Sequence, residues 1–235
     1  LKKKIYFFKL AMHSTKKILR WDRFFQKNFA KKSLKKNFFL KNLKKKINQK
    51  KLKNFNTNLF IISGYPQIFK EHILNIPNIM TINLHGGPVP KYRGGSPLNW
   101  QMINGERKIG ISIIKINRKI DGGKLLEQGH FKLNRSDTIK SVHIKANNLF
   151  FNILKKTLRK ILGKRKKYLY IKKKGPSFYW HQRDDHDGIL DFKNKTAVEA
   201  FNFIRALTNP YPGAWIKTKI HNKHCLIRLY ESSIT

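Results

Sequence analysis

From residue 58 onward, short apolar runs alternate with amphipathic stretches. Residues 58–63 read NLFIIS and are closed by Gly64-Tyr65-Pro66, the pattern of a buried parallel strand ending in a turn. Residues 67–74 predict a short helix that stops near Pro77. Residues 78–84 predict the next strand, which carries Asn83 and delivers His85. A Gly/Pro-rich loop follows. Ser96 is then placed as an N-cap and Pro97 at the first position of a helix over 98–103. A strand over 109–116, a loop over 117–123 that carries Asp121, and a strand over 125–131 come next. Residues 137–162 predict the longest helix. Ile139, Val142, Ile144, Ala146, Leu149, Phe150, Ile153, Leu154, Leu158 and Ile161 recur near its 3.6-residue period, and Asp137 suits its N-terminal dipole. Residues 164–174 read as a basic linker. Thr196 and Glu199 form a capping box for a helix over 196–207, and 214–220 with 224–230 predict a hairpin around 221–223.

The βαβ rhythm predicts a doubly wound, mostly parallel α/β sheet. The catalytic domain is expected over 1–174, with its N-terminal part atypical or truncated. A small, incomplete β-rich subdomain is expected over 175–235. Before residue 58 the chain is dominated by Lys, Asn and Phe, with a strand expected over 5–10 and helices over 18–25 and 40–52. This segment reads either as a shortened first βα portion or as a basic RNA- or membrane-binding arm. No glycine occurs before Gly64, so it holds neither a dinucleotide fingerprint nor a phosphate-binding loop.

Charge adds a second layer. The 235 residues include 52 Lys+Arg against 12 Asp+Glu, a net charge of +40. That balance favours polyanionic partners. The same excess follows from compositional drift: Lys, Asn, Ile and Phe are abundant, Val occurs only at Val89, Val142 and Val198, and the positive charge is scattered. The single Cys225 excludes a disulfide framework and a Cys-based zinc site. No apolar run approaches the ~18 residues of a membrane span, and no secretory signal is evident, so the cytoplasm is the expected compartment.

The candidate chemistry lies in Asn83, His85 and Asp121. An Asn can donate an N–H to a developing oxyanion, a His can move a proton near neutral pH, and an Asp can orient that His. No Ser or Cys nucleophile stands nearby in a suitable motif, which favours direct transfer over a covalent enzyme intermediate. Each residue also has a plain structural reading at a strand end. His181, Asp184, Asp185, His186 and Asp187 offer ligand types for a metal cluster, but their spacing alone does not define ligand geometry, and no metal is expected.

The ordered pattern Asn83-x-His85, Pro90-Lys91-Tyr92-Arg93-Gly94, Ser96-Pro97-Leu98-Asn99-Trp100, Asn104-Gly105-Glu106 and Asp121-Gly122-Gly123 resembles the folate-dependent formyltransferases, in their methionyl-tRNA and nucleotide-sugar branch. The resemblance is clear over 58–133 and continues through Ile204-Arg205-Ala206-Leu207 and Pro210 to Trp215. It implies a Rossmann-like fold and an enzyme that uses 10-formyltetrahydrofolate as co-substrate, with no metal. It implies Asn83 as oxyanion donor, His85 as proton carrier and Asp121 as its orienting partner. It places the folate against the backbone of Gln67, Ile68 and Phe69 and of Asn117, Arg118, Lys119 and Ile120. The acceptor is an amine: that of a nucleotide-linked amino sugar, which the run 179–188 favours, or that of methionyl-tRNA. A homodimer is compatible with it. A different class also stands, a non-catalytic basic nucleic-acid-binding protein on a decayed scaffold of this family. The chain departs from the family at Gly87-Pro88, where the usual loop has Ser-Leu after the residue following the His, so a hydroxyl that could hold the loop is missing.

Overall fold

The computed structural model describes residues 5–9, 52, 57–65, 68–163 and 170–234. The helices expected over 18–25 and 40–52 lie outside the described residues, apart from Leu52, as do Gln67 and most of the basic linker. In chain order the elements are β1 (Ile5–Lys9), β2 (Leu59–Ser63), α1 (Glu71–Leu74), β3 (Met80–His85), β4 (Arg93–Gly94), α2 (Pro97–Ile103), β5 (Lys108–Lys115), β6 (Lys124–Lys132), α3 (Ile139–Leu162), β7 (Tyr179–Trp180), α4 (Ala197–Leu207), β8 (Ala214–Ile220) and β9 (Lys223–Leu229). Short 3₁₀ turns lie at His186–Gly188 and Phe192–Asn194.

Five strands form one sheet in the order β1-β2-β3-β5-β6. β2 pairs in parallel with β1 and with β3. The continuous apolar run of β2 is buried along Leu59–Ile62, as a strand flanked on both edges requires. β3 pairs antiparallel with β5, which sets Asn83 opposite Ile114 and His85 opposite Ser112. The α/β sheet expected from the sequence is therefore present, but mixed in sense. An apolar run reads as a buried strand in either direction, so periodicity does not report its sense.

The chain divides into two compact units. The first comprises Leu1–His85, Ser112–Glu127 and Ile153–Lys173. Its core packs Phe60, Ile62, Phe69, Ile73 and Leu74 with Leu52. The helix expected over 67–74 is shorter here. It begins at Glu71, whose carboxylate suits the N-terminal dipole, while Ile68 stands 74% exposed ahead of it.

The second unit comprises Gly86–Ile111, Gln128–Asn152 and Lys174–Thr235. Its core gathers Leu190, Ala200, Phe203, Ile204, Leu207 and Ala214, with Ile103, Ile216 and Leu229 against it. Asn99 Nδ2 donates to Ala206 O at 2.8 Å, tying α2 to α4. The capping box forms as expected: Thr196 Oγ1 accepts from Glu199 N, and the Glu199 carboxylate accepts from Thr196 N. The hairpin turns at His221 and Asn222, both with left-handed φ of 48° and 61°. That is the two-residue turn whose twist matches its strands. Ser96 departs from expectation. It sits at the N-cap of α2 with left-handed backbone and makes no capping bond. Its Oγ instead accepts from Arg183 N at 3.1 Å and from Gln182 Nε2 at 2.8 Å.

α3 buries Ile139, Val142, Ala146, Phe150, Ile153, Leu154 and Ile161, but Ile144 is 54% exposed. Five residues past Ile139, Ile144 has turned about 140° away from that stripe. Asp137 precedes the helix and accepts from Asn134 N, Ser141 Oγ and Lys145 Nζ. Burial pushes its carboxyl up, and these donors outweigh it and hold the group below the ordinary range. At the other end, the buried Glu127 of β6 receives Lys160 at 2.8 Å and Lys156 at 3.4 Å. No helix among the described residues is long and apolar enough to cross a membrane.

His143 of α3 meets Tyr211 Oη at 3.1 Å through Nε2. Burial pushes its imidazole from 6.5 down to about 4. Above 6.5 the ring is neutral whether folded or unfolded, and its contribution is intact. As pH falls through that window the unfolded chain takes up a proton that the folded chain does not, and stability is lost. Denaturant unfolding from pH 7 to 4 should show wild type losing on the order of 1–3 kcal/mol more than His143→Gln. Parallel curves for the two proteins would remove this role.

Candidate active site

β3 places Asn83 and His85 two residues apart, so both side chains emerge on one face of the sheet. Their common partner comes from the loop after β5. Asp121 Oδ1 accepts from Asn83 Nδ2 at 3.3 Å. Asp121 Oδ2 lies 3.4 Å from His85 Nδ1, an ion-pair distance rather than a full hydrogen bond. The His85 and Asp121 side chains are only 6% and 11% exposed, so the interaction is weakly screened.

This arrangement assigns chemistry to each atom. A carboxylate facing Nδ1 favours the tautomer with its proton there, which leaves Nε2 as the proton acceptor. The Asn83 amide carries two N–H groups and gives one to Asp121, so the second can meet a ligand oxygen. An amide N–H and an imidazole, groups that can steady a negative oxygen and move a proton, thus share one carboxylate in the first unit.

The loop that carries Asp121 is held by backbone shape. Asp121 has φ of 46°, the left-handed region that Asp tolerates better than most residues. Gly123 is pressed against β5: a Cβ there would lie 1.8 Å from Lys115 O and 2.9 Å from Lys115 C. Lys173 Nζ donates to Gly122 O at 3.0 Å.

The residues expected to hold folate divide. Gln67 lies outside the described residues. Phe69 is buried in the core, while Ile68 is exposed and Ile120 is 41% exposed. Arg118 pairs with Glu71 at the start of α1, which brings the 117–120 loop to the segment that follows Phe69. A cavity of about 500 Å³ opens here, lined by Leu74, Ile79, Met80, Thr81, Ile116, Asn117, Arg118 and Lys119 among others.

The remaining motif residues, in the second unit, are braces. Tyr92 is 1% exposed and donates from Oη to Glu106 at 2.7 Å, while Asn104 Nδ2 donates back to Tyr92 Oη at 3.2 Å. Lys91 Nζ also reaches Glu106, at 2.6 Å. Burial, with Glu106 beside it, pushes the Tyr92 hydroxyl well above its ordinary pKa and keeps it a donor. The acidic turn is spent on similar ties. Asp185 pairs with Arg228, His181 Nε2 meets Asp187 at 2.8 Å, and Asp184 accepts from His186 N. Among the described residues no three His, Cys, Asp or Glu come together to hold a metal ion.

A family model described as formyl transferase matches residues 14–158. A second, described as formyl transferase, C-terminal domain, matches residues 183–234. The chain belongs to the formyl transferase family. The bifunctional polymyxin resistance protein ArnA of Wigglesworthia glossinidia brevipalpis is 42% identical over 151 residues, 64% of this chain and 23% of that protein. The methionyl-tRNA formyltransferase of Malacoplasma penetrans is 32% identical over 164 residues, 70% of this chain and 51% of that protein. The chain thus spans about half the length of the second relative and less than a quarter of the first. Among solved structures, WlaRD, a sugar 3N-formyl transferase crystallised in the presence of dTDP and 5-N-formyl-THF, superposes with a TM-score of 0.57. It covers 71% of this chain and 58% of its own at 23% identity, a likeness of fold.

Sequence reasoning passed over Gln101, which is fully buried and hydrogen-bonded to Gly86 and Gly110. The available signal was a polar side chain between Leu98 and Met102 on the covered face of α2, where an apolar residue is the default.

Gly123→Ala forces a Cβ into the Lys115 carbonyl, so the loop must move. We expect a loss of about 1–3 kcal/mol in denaturant unfolding. A variant as stable as wild type would show that the loop does not depend on this contact.

Proposed function

We propose that this chain transfers a formyl group from 10-formyltetrahydrofolate to a primary amine, that of a nucleotide-linked amino sugar. The observation that carries the reading is the Asp121 carboxylate shared between Asn83 Nδ2 and His85 Nδ1. A binding scaffold has no need to bury a carboxylate between an amide and an imidazole.

In this reading the 500 Å³ cavity beside the 117–119 loop takes the co-substrate. Leu74, Ile79, Met80 and Ile116 supply apolar walls for a flat heteroaromatic ring, and the chain at Asn117–Lys119 supplies backbone polar groups for its edge. When bound, the folate supplies the formyl group. Every other task falls to the protein. Asn83 donates its second N–H to the oxygen that becomes negative as the amine attacks. His85 Nε2 takes the proton that the amine must lose and returns one to the departing nitrogen, so no net proton is consumed. Asp121 holds the ring in the tautomer that leaves Nε2 basic and stabilises the imidazolium while it lasts. Residues 1–174 form the catalytic domain in this reading and 175–235 the smaller subdomain.

For the acceptor, the sugar reading is supported by the run Tyr179–Gly188 and by the fold shared with a sugar 3N-formyl transferase. Methionyl-tRNA is the second reading, favoured by the relative of that name and by the charge of +40.

Tetrahydrofolate release, followed with amino-sugar nucleotides and with methionyl-tRNA, tests both points. Turnover of wild type should fall about 10²–10⁴-fold in His85→Ala and about 10²–10³-fold in Asn83→Ala. Turnover indifferent to His85→Ala would defeat the mechanism. Turnover with methionyl-tRNA alone would replace the acceptor.

A further inference from the structure

The loop that follows His85 opens with two adjacent glycines, Gly86 and Gly87, and carries no side chain there to hold it. What holds it instead comes from α2. Gln101 is 0% exposed, and its side-chain amide is surrounded by backbone. Its Nε2 donates to Gly86 O at 2.9 Å, Pro97 O at 3.1 Å and Gly110 O at 3.2 Å. Its Oε1 accepts from Gly110 N at 2.7 Å. Two N–H groups thus serve three carbonyls, and the amide fits one way round only. Flipped, its oxygen would face three carbonyl oxygens. The loop also rests directly on β5. A Cβ at Gly110 would lie 2.7 Å from Pro88 Cβ and 2.7 Å from the His130 ring, so the strand backbone is bare at that point. Gln101 therefore binds the peptide carbonyl one residue past His85 and the strand residue under the loop.

We propose that Gln101 is a positioning residue for His85: its amide fixes the Gly86 peptide, and through it the direction in which the imidazole leaves β3. This rests on the role given to His85 above. The buried amide ties the loop to one conformation although it carries adjacent glycines. The alternative is a purely structural clamp, whose loss would lower stability and leave the chemistry of the folded molecules unchanged.

Gln101→Met keeps the volume and deletes the hydrogen bonds. Gln101→Glu keeps the shape and the acceptor for Gly110 N but deletes the donors to Gly86 O. Two readouts separate the ideas. In formyl transfer, corrected for the folded fraction, both variants should lose about tenfold or more in kcat with KM within about threefold, the pattern of a group that acts on the transition state rather than on binding. In a proton NMR titration of the histidines, with His85 assigned by its loss in His85→Gln, the His85 midpoint should move in Gln101→Met while the other histidines stay. The titration needs no substrate. A moved His85 midpoint in a protein inert towards every acceptor would refute the proposed function and retain the positioning role. Unchanged kcat and an unchanged His85 midpoint in folded variants would overturn the inference. So would failure of both variants to fold, since Gln101 would then serve the core rather than the imidazole.

Discussion

A carboxylate taken out of water must be met by donors, and Asp121 is met by two groups that belong to one strand. Its side chain is 11% exposed, with Asn83 Nδ2 on one oxygen and His85 Nδ1 on the other. Neither contact can form unless β3 presents both residues on the same face and the loop after β5 turns back over that face. The second condition is the demanding one. It requires a left-handed backbone at Asp121 and a residue without a side chain at Gly123, where the loop closes on the Lys115 carbonyl. Asp121-Gly122-Gly123 is therefore one device: the first residue supplies charge, and the last permits the approach that delivers it.

The same logic distinguishes two kinds of motif residue. Lys91, Tyr92, Asn104 and Glu106 lie in the stretches that mark the family, yet their polar atoms are turned on one another. Tyr92 passes a hydrogen bond to Glu106 and receives one from Asn104, while Lys91 balances the carboxylate. A buried hydroxyl left unmatched would cost about 1–3 kcal/mol, so these residues satisfy one another in a core rather than supply chemistry. Gln101 stands between the two kinds: its partners are all backbone, but one of them is the carbonyl of the residue after His85.

Charge follows a different rule. With 52 Lys+Arg against 12 Asp+Glu, cations far outnumber carboxylates, and among the described residues several acids are paired. Asp137 takes Lys145, Glu127 takes Lys156 and Lys160, and Asp185 takes Arg228. Arg205 is satisfied by neutral groups instead, donating to Asn134 O and to Asn202 Oδ1. Asp137 and Glu127 are buried while their lysines reach solvent, and the exposed Asp185–Arg228 pair is screened and adds little. Stability must come mainly from the two apolar cores and the backbone ladders.

Local pattern alone determined a good deal. Strand periodicity put Asn83 and His85 on one face, because side chains alternate along a strand whatever surrounds it. The buried run of β2, the capping box of α4 and the two-residue turn of the β8–β9 hairpin were likewise readable, since each depends on neighbours within a few residues. Tertiary structure decided what depends on partners far along the chain. Asp121 reaches Asn83 across 38 positions. Ser96, placed as a helix cap by its local context, instead accepts at its hydroxyl oxygen from Arg183 N across 87. The antiparallel sense of β5, the turning of Ile144 to solvent and the clamp made by Gln101 have the same origin. A side chain's type states which bonds it can make, but only the folded backbone brings a particular carbonyl or carboxylate within three ångströms of it.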